Sequence, residues 1–402
     1  MARTDGPAEE TGGGRDAVTT RRTVLTTGAA LGGVTLVGCI GDDGDDDPAD
    51  ADDDPADADG EVADDAADDT DDADDGDDPE GDVQVAIISS DAGFGDNAFN
   101  DNAVEGLEQA EDDFGIEITR VEETETAEFA ARQEELAADG SFDLIVMVGY
   151  QHYEGLVEHS EAYPDQYWML INDHVEGAEN VSGWIEMNNE MSFLAGVAAG
   201  TLTREEIEHG DSETDPDEGV VGFAGGEDID LINAFEQSYV EGVEWVDDGV
   251  DVLTGYGGSF SDSEALSEVA SSQFDDGADI VWHAAAAAGA GAFSAAQDSG
   301  RFALGVDSDQ SVADDQYADV ILGSAIKALN EATYMVTEAV VEDSWEDVSG
   351  EQNLSIENEG IDFVVGQEFE GELPDSLDEN IEAARQAFID GEIDLTCGPT
   401  GC

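Results

Sequence analysis

Basic residues are nearly absent from this 402-residue chain, which has 10 Lys+Arg against 103 Asp+Glu and a formal net charge of −93. Such a negative field repels polyanions and leaves no basic patch to neutralise phosphates, which excludes nucleic-acid binding. Hydrophobic residues still make up 40% of the chain, so a folded core is expected. Acid spread over a core-forming sequence indicates adaptation to concentrated salt, where the Debye length falls to about 3 Å and surface carboxylates hardly repel one another.

Cysteine is also scarce, with only Cys39, Cys397 and Cys402, and the five histidines are scattered. Two thiols without a histidine cluster do not make a metal site, so no metal is expected. The pair Cys397 and Cys402 can instead close a small disulfide loop outside the cell. There is no P-loop, zinc motif or Ser-His-Asp order, so no cofactor is predicted.

Long hydrophobic runs are missing, because the charge-free stretch from residue 23 to 38 has only 16 residues. That is too short to span a bilayer comfortably, so an uncleaved membrane helix is the less favoured interpretation. The preceding Arg21 and Arg22 resemble a twin-arginine export signal, and Leu36-Val37-Gly38-Cys39 resembles a lipobox. We therefore expect a signal peptide over residues 1–38, a lipidated Cys39, and a location on the outer face of the cell membrane held by lipid alone.

Residues 41–82 contain 24 Asp+Glu and otherwise almost only Ala, Gly and Pro. Such a segment cannot bury enough apolar area to offset its ordering entropy, and its charges keep it extended. Residues 39–82 are therefore predicted to be a disordered spacer between the lipid and the working domain. Chelation of cations by these acids is a less favoured alternative.

From residue 83 onward, short apolar runs alternate with segments of helical periodicity. The first series predicts strands at residues 83–89, 116–121, 144–148, 167–171 and 181–185, with helices at 98–113, 127–138, 153–162 and 190–203. After a polar break at 209–218, the second predicts strands at 220–224, 250–254, 280–283, 302–306 and 320–322, with helices at 231–246, 263–274, 290–299 and 325–341. Two such series predict an α/β protein with two helix-covered parallel sheets, a lobe 1 over about 83–205 and a lobe 2 over about 215–322.

Ligands of these folds bind beyond the carboxyl ends of the strands, so polar and aromatic residues there are site candidates. Asp96 is equally suited to cap the following helix, and Gly289 could simply begin one. The candidates that follow a predicted strand are Asp91, Asp96, Asn100, Gly149, Tyr150, Asp173, Phe260, Gly289 and Asp307.

Lys327 is the only lysine in the chain. The pattern places it in the first turn of the predicted helix 325–341, where the helix dipole disfavours a cation. A partner carboxylate such as Asp307, or a ligand oxygen, would explain its presence. A surface lysine retained by chance is the alternative.

Several stretches resemble the basic membrane protein (BMP) family of solute-binding lipoproteins, here of a salt-adapted haloarchaeal type. The resemblance extends in family order over most of residues 83–330. Its stretches are Asp91-Ala-Gly-Phe-Gly-Asp-Asn-Ala-Phe-Asn100, Tyr163-Pro-Asp, Ser192-Phe-Leu-Ala-Gly196, Gly222-Phe-Ala-Gly-Gly226, Gly258-Ser-Phe260, Gly305-Val-Asp-Ser-Asp-Gln310 and Ser324-Ala-Ile-Lys327.

The resemblance implies a type I periplasmic-binding-protein fold, in which two Rossmann-like lobes with parallel sheets are joined by a hinge, the residues after lobe 2 crossing it. It also implies that Phe99 and Phe260 sandwich a purine, with Lys327 on the ribose side. The residues it assigns to the ribose and base edges are Asp91, Asn100, Asp173 and Asp307. Asn97 departs from the family, which commonly has lysine there.

The leading hypothesis is a receptor that delivers a nucleoside to the permease and ATPase subunits of an ABC importer. A second hypothesis keeps this fold but assigns a sugar, flavin or signalling molecule as the ligand. A third is a hydrolase that uses Asp307 and Asp309 as paired carboxylates, although Asp-Ser-Asp is also common turn chemistry.

Overall fold

The computed structural model describes residues 83–402, so the predicted signal peptide, Cys39 and the acidic spacer lie outside the described residues. The strands are β1 (Gln84–Ile88), β2 (Glu117–Val121), β3 (Leu144–Val148), β4 (Tyr167–Ile171), β5 (Val181–Glu186), β6 (Glu208–His209), β7 (Ser212–Glu213), β8 (Val220–Gly225), β9 (Asp251–Tyr256), β10 (Ile280–Ala284), β11 (Phe302–Asp307), β12 (Ile321–Lys327), β13 (Gly350–Leu354) and β14 (Ile361–Val365). The α-helices are α1 (Phe99–Phe114), α2 (Phe129–Asp139), α3 (Tyr153–Ala162), α4 (Asn188–Leu202), α5 (Asp230–Val246), α6 (Ser263–Asp275), α7 (Ala290–Ser299), α8 (Gln310–Ala313), α9 (Leu329–Val341) and α10 (Asp375–Ile389).

The first sheet has six strands in the order β13-β5-β4-β3-β1-β2, all parallel. Every residue of β3 and β5 is buried, as expected for strands covered by helices on both faces. The second sheet has the order β14-β12-β11-β10-β8-β9 and is parallel except for β14, which pairs antiparallel with β12. The predicted α/β class with two helix-covered sheets is confirmed.

The chain passes between the sheets three times. It leaves the first sheet after β5, because α4 packs on α5 and on the second sheet; lobe 1 therefore ends at β5 rather than near residue 205. It returns after β12, since α9 packs on α1. The third passage leads from β13 in the first sheet to β14 in the second. These passages bring the ends of β5 and β12 to the junction of the two lobes.

Two glycines allow α4 and α5 to pack closely. A Cβ added at Gly196 would lie 2.1 Å from the Tyr239 carbonyl oxygen, and one added at Gly242 would lie 2.1 Å from the Phe193 carbonyl oxygen. Because both distances are far inside van der Waals contact, only glycine fits at either position. The prediction that a small-residue helix packs closely here is confirmed.

One predicted element is wrong. The predicted helix over residues 325–341 begins only at Leu329, and the residues before it extend β12 as far as Lys327. Ala325 and Ile326 pair with β11 on one side and β14 on the other, and these ladders determine the strand conformation. The polar break near residue 209 contains the small hairpin β6–β7. Within residues 83–402, the helices are all too short or too polar to cross a membrane.

Candidate ligand-binding site

A cavity opens where the carboxyl ends of the two sheets meet. The empty space that it encloses, with open solvent at its edge included, is about 590 Å³. The first sheet and α1 contribute Ser90, Asp91, Ala92, Phe99, Gly149, Tyr150, Gln151 and Asn172 to the wall. The second sheet and its loops contribute Leu231, Ile232, Phe235, Phe260, Ala284, Ala285, Ala286, Val306, Asp307 and Lys327.

Two partly exposed phenylalanines from different lobes line this one cavity. Phe99 is the first residue of α1, and Phe260 lies in the loop after β9. The Phe260 carbonyl accepts a hydrogen bond from the Ala288 amide at 2.9 Å, which fixes the loop backbone. A Cβ on Gly226 would lie 2.5 Å from Cδ1 of Phe260, so glycine is needed for this ring position. A third aromatic, Phe235, also lines the wall.

Lys327 is the last residue of β12 and is almost fully buried, so the first-turn placement and its dipole argument are wrong. Its Nζ lies 2.9 Å from Oδ1 of Asp307 and donates a hydrogen bond of 3.1 Å to Oδ1 of Asn188. The same Nζ lies 4.8 Å from the centroid of the Phe99 ring, within cation–π range. The ammonium is therefore held by a carboxylate, an amide and an aromatic face, and the expected partner Asp307 is present.

Asp307 ends β11 with φ 71°, in the left-handed region. Although Oδ1 of Asp307 forms the ion pair with Lys327, this buried atom accepts no well-directed hydrogen bond from residues 83–402. Asn172 (φ 69°) and Ala286 (φ 45°), which also line the cavity, share this sparsely populated conformation. Backbone of this kind persists only where surrounding contacts determine it, and it clusters at functional sites.

Glu186, at the end of β5, is fully buried, and neither of its carboxylate oxygens has a hydrogen-bond partner among the described residues. Burial raises the pKa of this carboxyl to about 7, with the charge of Asp307 adding to the effect and that of Lys327 opposing it. A buried acid is therefore close to the ammonium and partly protonated at neutral pH.

The wall from the first sheet is also acidic. Oδ1 of Asp91 accepts a hydrogen bond of 2.9 Å from Nε2 of Gln151. Burial raises the pKa of Asp91, and the negative charge of Glu227 raises it further. Burial, followed by the charges of Asp91 and Glu227, raises the pKa of the Tyr150 phenol. This wall offers hydrogen-bond acceptors and disfavours additional negative charge.

The structure brings seven of the eleven candidates to the cavity wall. They are Asp91, Phe99, Gly149, Tyr150, Phe260, Asp307 and Lys327.

The other four candidates lie elsewhere. Asp96 accepts hydrogen bonds from the amides of Ala98, Asn100 and Asp101. It therefore caps the start of α1, which was the alternative to ligand contact. Asn100 is fully buried and hydrogen-bonded to Ser90 and Asp96.

The remaining two candidates, Asp173 and Gly289, also lie outside the cavity wall. Asp173 lines a neighbouring surface depression, which shares Tyr150, Asn172 and Leu231 with the cavity wall. At Gly289 a Cβ would lie 2.1 Å from Cε1 of His283, so close packing on that ring requires glycine.

Sequence reasoning missed Glu186, Asn188 and Phe235. Phe235 fits the apolar face of α5, and periodicity cannot distinguish a core residue from a cavity wall. Glu186 did carry a signal, because it ends a strand whose other five residues include no charge. Asn188 is the first residue of α4, and nothing in the local sequence indicated that it would contact the cavity wall. The disulfide between Cys397 and Cys402 is present.

Residues 83–396 match the model of a protein family described as "ABC transporter substrate-binding protein PnrA-like". The chain belongs to this family. Basic membrane protein A of Borreliella afzelii is 31% identical to it over 227 residues, which are 55% of this chain and 65% of the relative. The first curated relatives are thus matched over just under two thirds of their length. The ABC transporter nucleoside-binding protein BmpA of Lactococcus lactis subsp. cremoris is 27% identical over 241 residues, with coverage of 57% and 65%.

Solved structures of solute-binding proteins have the same architecture. One from Aeropyrum pernix K1 superposes with a TM-score of 0.67 at 21% identity, covering 78% of this chain and 92% of the other. Another, from Conexibacter woesei, gives a TM-score of 0.60 at 22% identity, covering 78% and 98%. These likenesses confirm the periplasmic-binding-protein fold.

The family that this chain matches is described as substrate-binding proteins of ABC transporters and not as hydrolases, which argues against the hydrolase hypothesis. Oδ1 of Asp309, one of the two acids in that hypothesis, accepts hydrogen bonds from the amide and the hydroxyl of Ser311 at the start of α8. Across residues 83–402, no group of three or more His, Cys, Asp or Glu side chains could hold a metal ion.

Proposed function

We propose that this protein binds a nucleoside, and a purine nucleoside in particular, and delivers it to the permease and ATPase subunits of an ABC importer. The observation that carries the proposal is the presence of Phe99 and Phe260, from different lobes, in the wall of one cavity. A purine has two apolar faces, and stacking of a base on an aromatic side chain is worth about 1–3 kcal/mol. A relative of this chain is described as a nucleoside-binding protein.

Hydroxyl groups of a ribose suit the polar part of the wall. Asp91 and Asp307 are acceptors for such donors, and hydrogen bonds to a charged acceptor are stronger than neutral ones. We assign Asp91 and Asp307 to the polar edges of the ligand and Lys327 to the ribose side.

Charge argues for a nucleoside rather than a nucleotide. Lys327 is the one cationic side chain in the wall, and Asp307 already neutralises it. The depression beside the cavity has Asp173, Asp228 and Asp230 in its lining. A phosphate in or next to the cavity would therefore lie near carboxylates without a cation to pair with it, which is strongly unfavourable.

Calorimetric titration of the purified protein in concentrated KCl tests this proposal. We expect heat with guanosine or adenosine, and none with ribose, glucose or the matching nucleoside monophosphates. Phe260→Ala should weaken nucleoside binding by about 1–3 kcal/mol. Tyr153→Ala, which removes an exposed aromatic on α3, is the matched control and should leave the affinity unchanged. Binding of a sugar with no dependence on Phe260 would overturn the nucleoside assignment.

We also propose that the protein is held to the outer face of the membrane by lipid on Cys39. The basis is the lipobox-like sequence Leu36-Val37-Gly38-Cys39 after a short apolar stretch. Mass spectrometry of the N-terminal peptide should find a lipid on Cys39, and Cys39→Ser should release the protein into the medium. A Cys39→Ser protein that stays in the membrane fraction would contradict lipid anchoring at this residue.

A further inference from the structure

The C-terminal disulfide loop, residues 397–402, lies at the junction of the two lobes. We propose that this loop is a positioning element of the ligand cavity: through the Pro399 carbonyl it orients the Asn188 amide, which in turn places Lys327 and Asn172 in the wall. The inference rests on the proposed function for its ligand, but the contacts themselves concern only this chain.

Asn188 is the centre of these contacts and is fully buried. Its Oδ1 accepts the hydrogen bond of 3.1 Å from Nζ of Lys327. Its Nδ2 donates to Oδ1 of Asn172 at 3.2 Å and to the carbonyl oxygen of Pro399 at 3.1 Å. A side-chain amide has two N–H donors, and here both are used. The Asn188 side chain thus joins two cavity residues to the disulfide loop.

Withdrawal of the Pro399 carbonyl would leave one buried N–H of Asn188 without an acceptor. An unsatisfied buried donor is energetically costly, so the amide would turn toward another partner or admit water. Turning moves Oδ1 away from the ammonium of Lys327. The ammonium would then keep Asp307 as its polar partner and shift toward that carboxylate.

The disulfide gives the loop its position. Inside the loop, the Gly398 amide donates to the Gly401 carbonyl at 3.0 Å, and the Cys397–Cys402 bond closes it. Nδ2 of Asn189 donates to the Cys397 carbonyl at 3.0 Å, which fixes the start of the loop on α4. The disulfide thus restricts the positions that the Pro399 carbonyl can take.

The loop also reaches the second lobe and the depression beside the cavity. Just before it, the Thr396 amide donates to Oε2 of Glu241 on α5 at 3.3 Å. Thr400 lines that depression together with Tyr150, Asn172 and Leu231, which also line the cavity. A change in this loop therefore acts next to the cavity wall and at the point where Asn188 contacts it.

The test uses a double substitution, Cys397→Ser with Cys402→Ser, which opens the loop and leaves its other residues unchanged. We expect guanosine affinity to fall about tenfold, which corresponds to about 1.4 kcal/mol. Treatment of the unmodified protein with a phosphine reductant should give the same loss, and the reductant should have no effect on the double variant. Urea unfolding measured in parallel separates a change in the site from a loss of fold.

A double-mutant cycle with Asn188→Ala identifies the route. If the loop acts through Asn188, opening the disulfide in the Asn188→Ala background should weaken binding no further. Additive losses would overturn the proposed route.

The single lysine provides a readout that needs no ligand. Peptide mass spectrometry should show that an amine-acylating reagent modifies Lys327 several-fold faster in the disulfide-free protein than in the unmodified one. Equal rates, together with equal guanosine affinity where guanosine binds, would overturn the positioning role. Failure of the unmodified protein to bind either guanosine or adenosine would refute the nucleoside assignment instead, and the acylation rates would still decide the role of the loop.

Discussion

Replacing Glu186 with Gln should stabilise this protein, and the gain should grow with pH. Glu186 is fully buried, and burial raises its pKa from 4.5 to about 7. A raised pKa means that the folded state binds the proton more tightly than the unfolded state. Stability is therefore unaffected by this group below pH 4.5, falls as pH rises from 4.5 to about 7, and stays reduced above that.

The size of the effect follows from the pKa difference. Each pKa unit corresponds to about 1.4 kcal/mol, so a shift from 4.5 to about 7 lowers the free energy of unfolding by about 3 kcal/mol at alkaline pH. Glu186→Gln removes the ionisation but keeps the shape of the side chain. The difference between the variant and the unmodified protein should thus increase by about 3 kcal/mol across this pH range.

Urea unfolding followed by tryptophan fluorescence at a series of pH values measures this difference. Concentrated KCl held constant is needed to screen the repulsion from a net charge of −93. Glu154→Gln, at an exposed position on α3, is the matched control and should leave the pH dependence unchanged. Parallel pH curves for Glu186→Gln and the unmodified protein would refute the reasoning. So would a variant less stable at every pH, because ionised Glu186 would then be stabilising Lys327.

Two further predictions concern the cavity wall. Lys327→Met should lower the free energy of unfolding by about 3–5 kcal/mol, because it leaves the buried Asp307 charge unpaired. Adding Asp307→Asn should restore much of the lost stability. A urea-unfolding cycle in which the second substitution restores none of it would contradict the buried ion pair. Gly226→Ala should displace the Phe260 ring and weaken guanosine binding by roughly 5- to 150-fold, equivalent to about 1–3 kcal/mol of stacking, with at most a moderate loss of stability. Calorimetric titration measures the loss of guanosine affinity, and an unchanged affinity would show that the position of the Phe260 ring does not matter for binding.

Patterns of local sequence predicted the strand–helix order well, because these strands are buried on both faces and read as short apolar runs. The predicted bounds of β3 and β4 coincide with those in the structure. The prediction failed at β12, whose last residues, Ala325-Ile326-Lys327, suit a helix equally well. Pairing with β11 and β14 decided that conformation, and such pairing joins segments that are distant in the sequence.

Five of the seven wall candidates were recognisable because they follow predicted strands, and the ends of parallel strands converge. The other two had different grounds, since Lys327 stood out as the single lysine and Phe99 came from the family resemblance. Asp96 and Asn100 follow a strand as well, but their side chains bond to the backbone and side chains around the start of α1. Local sequence does not show whether an acceptor faces its own helix or a cavity. That choice depends on side-chain direction.

The amino-acid sequence by itself determined the acidic composition, the two series of strands and helices, and the presence of a single lysine, and it predicted an export signal and adaptation to concentrated salt. The tertiary structure alone decided how that lysine is held. The hydrogen bond between Lys327 and Asn188 joins residues 139 positions apart in the sequence, and the one between Asn188 and Pro399 joins residues 211 positions apart. Contacts at such separations form only when both sheets are assembled and the chain has crossed between them, because no local pattern encodes the distance between residues on different elements.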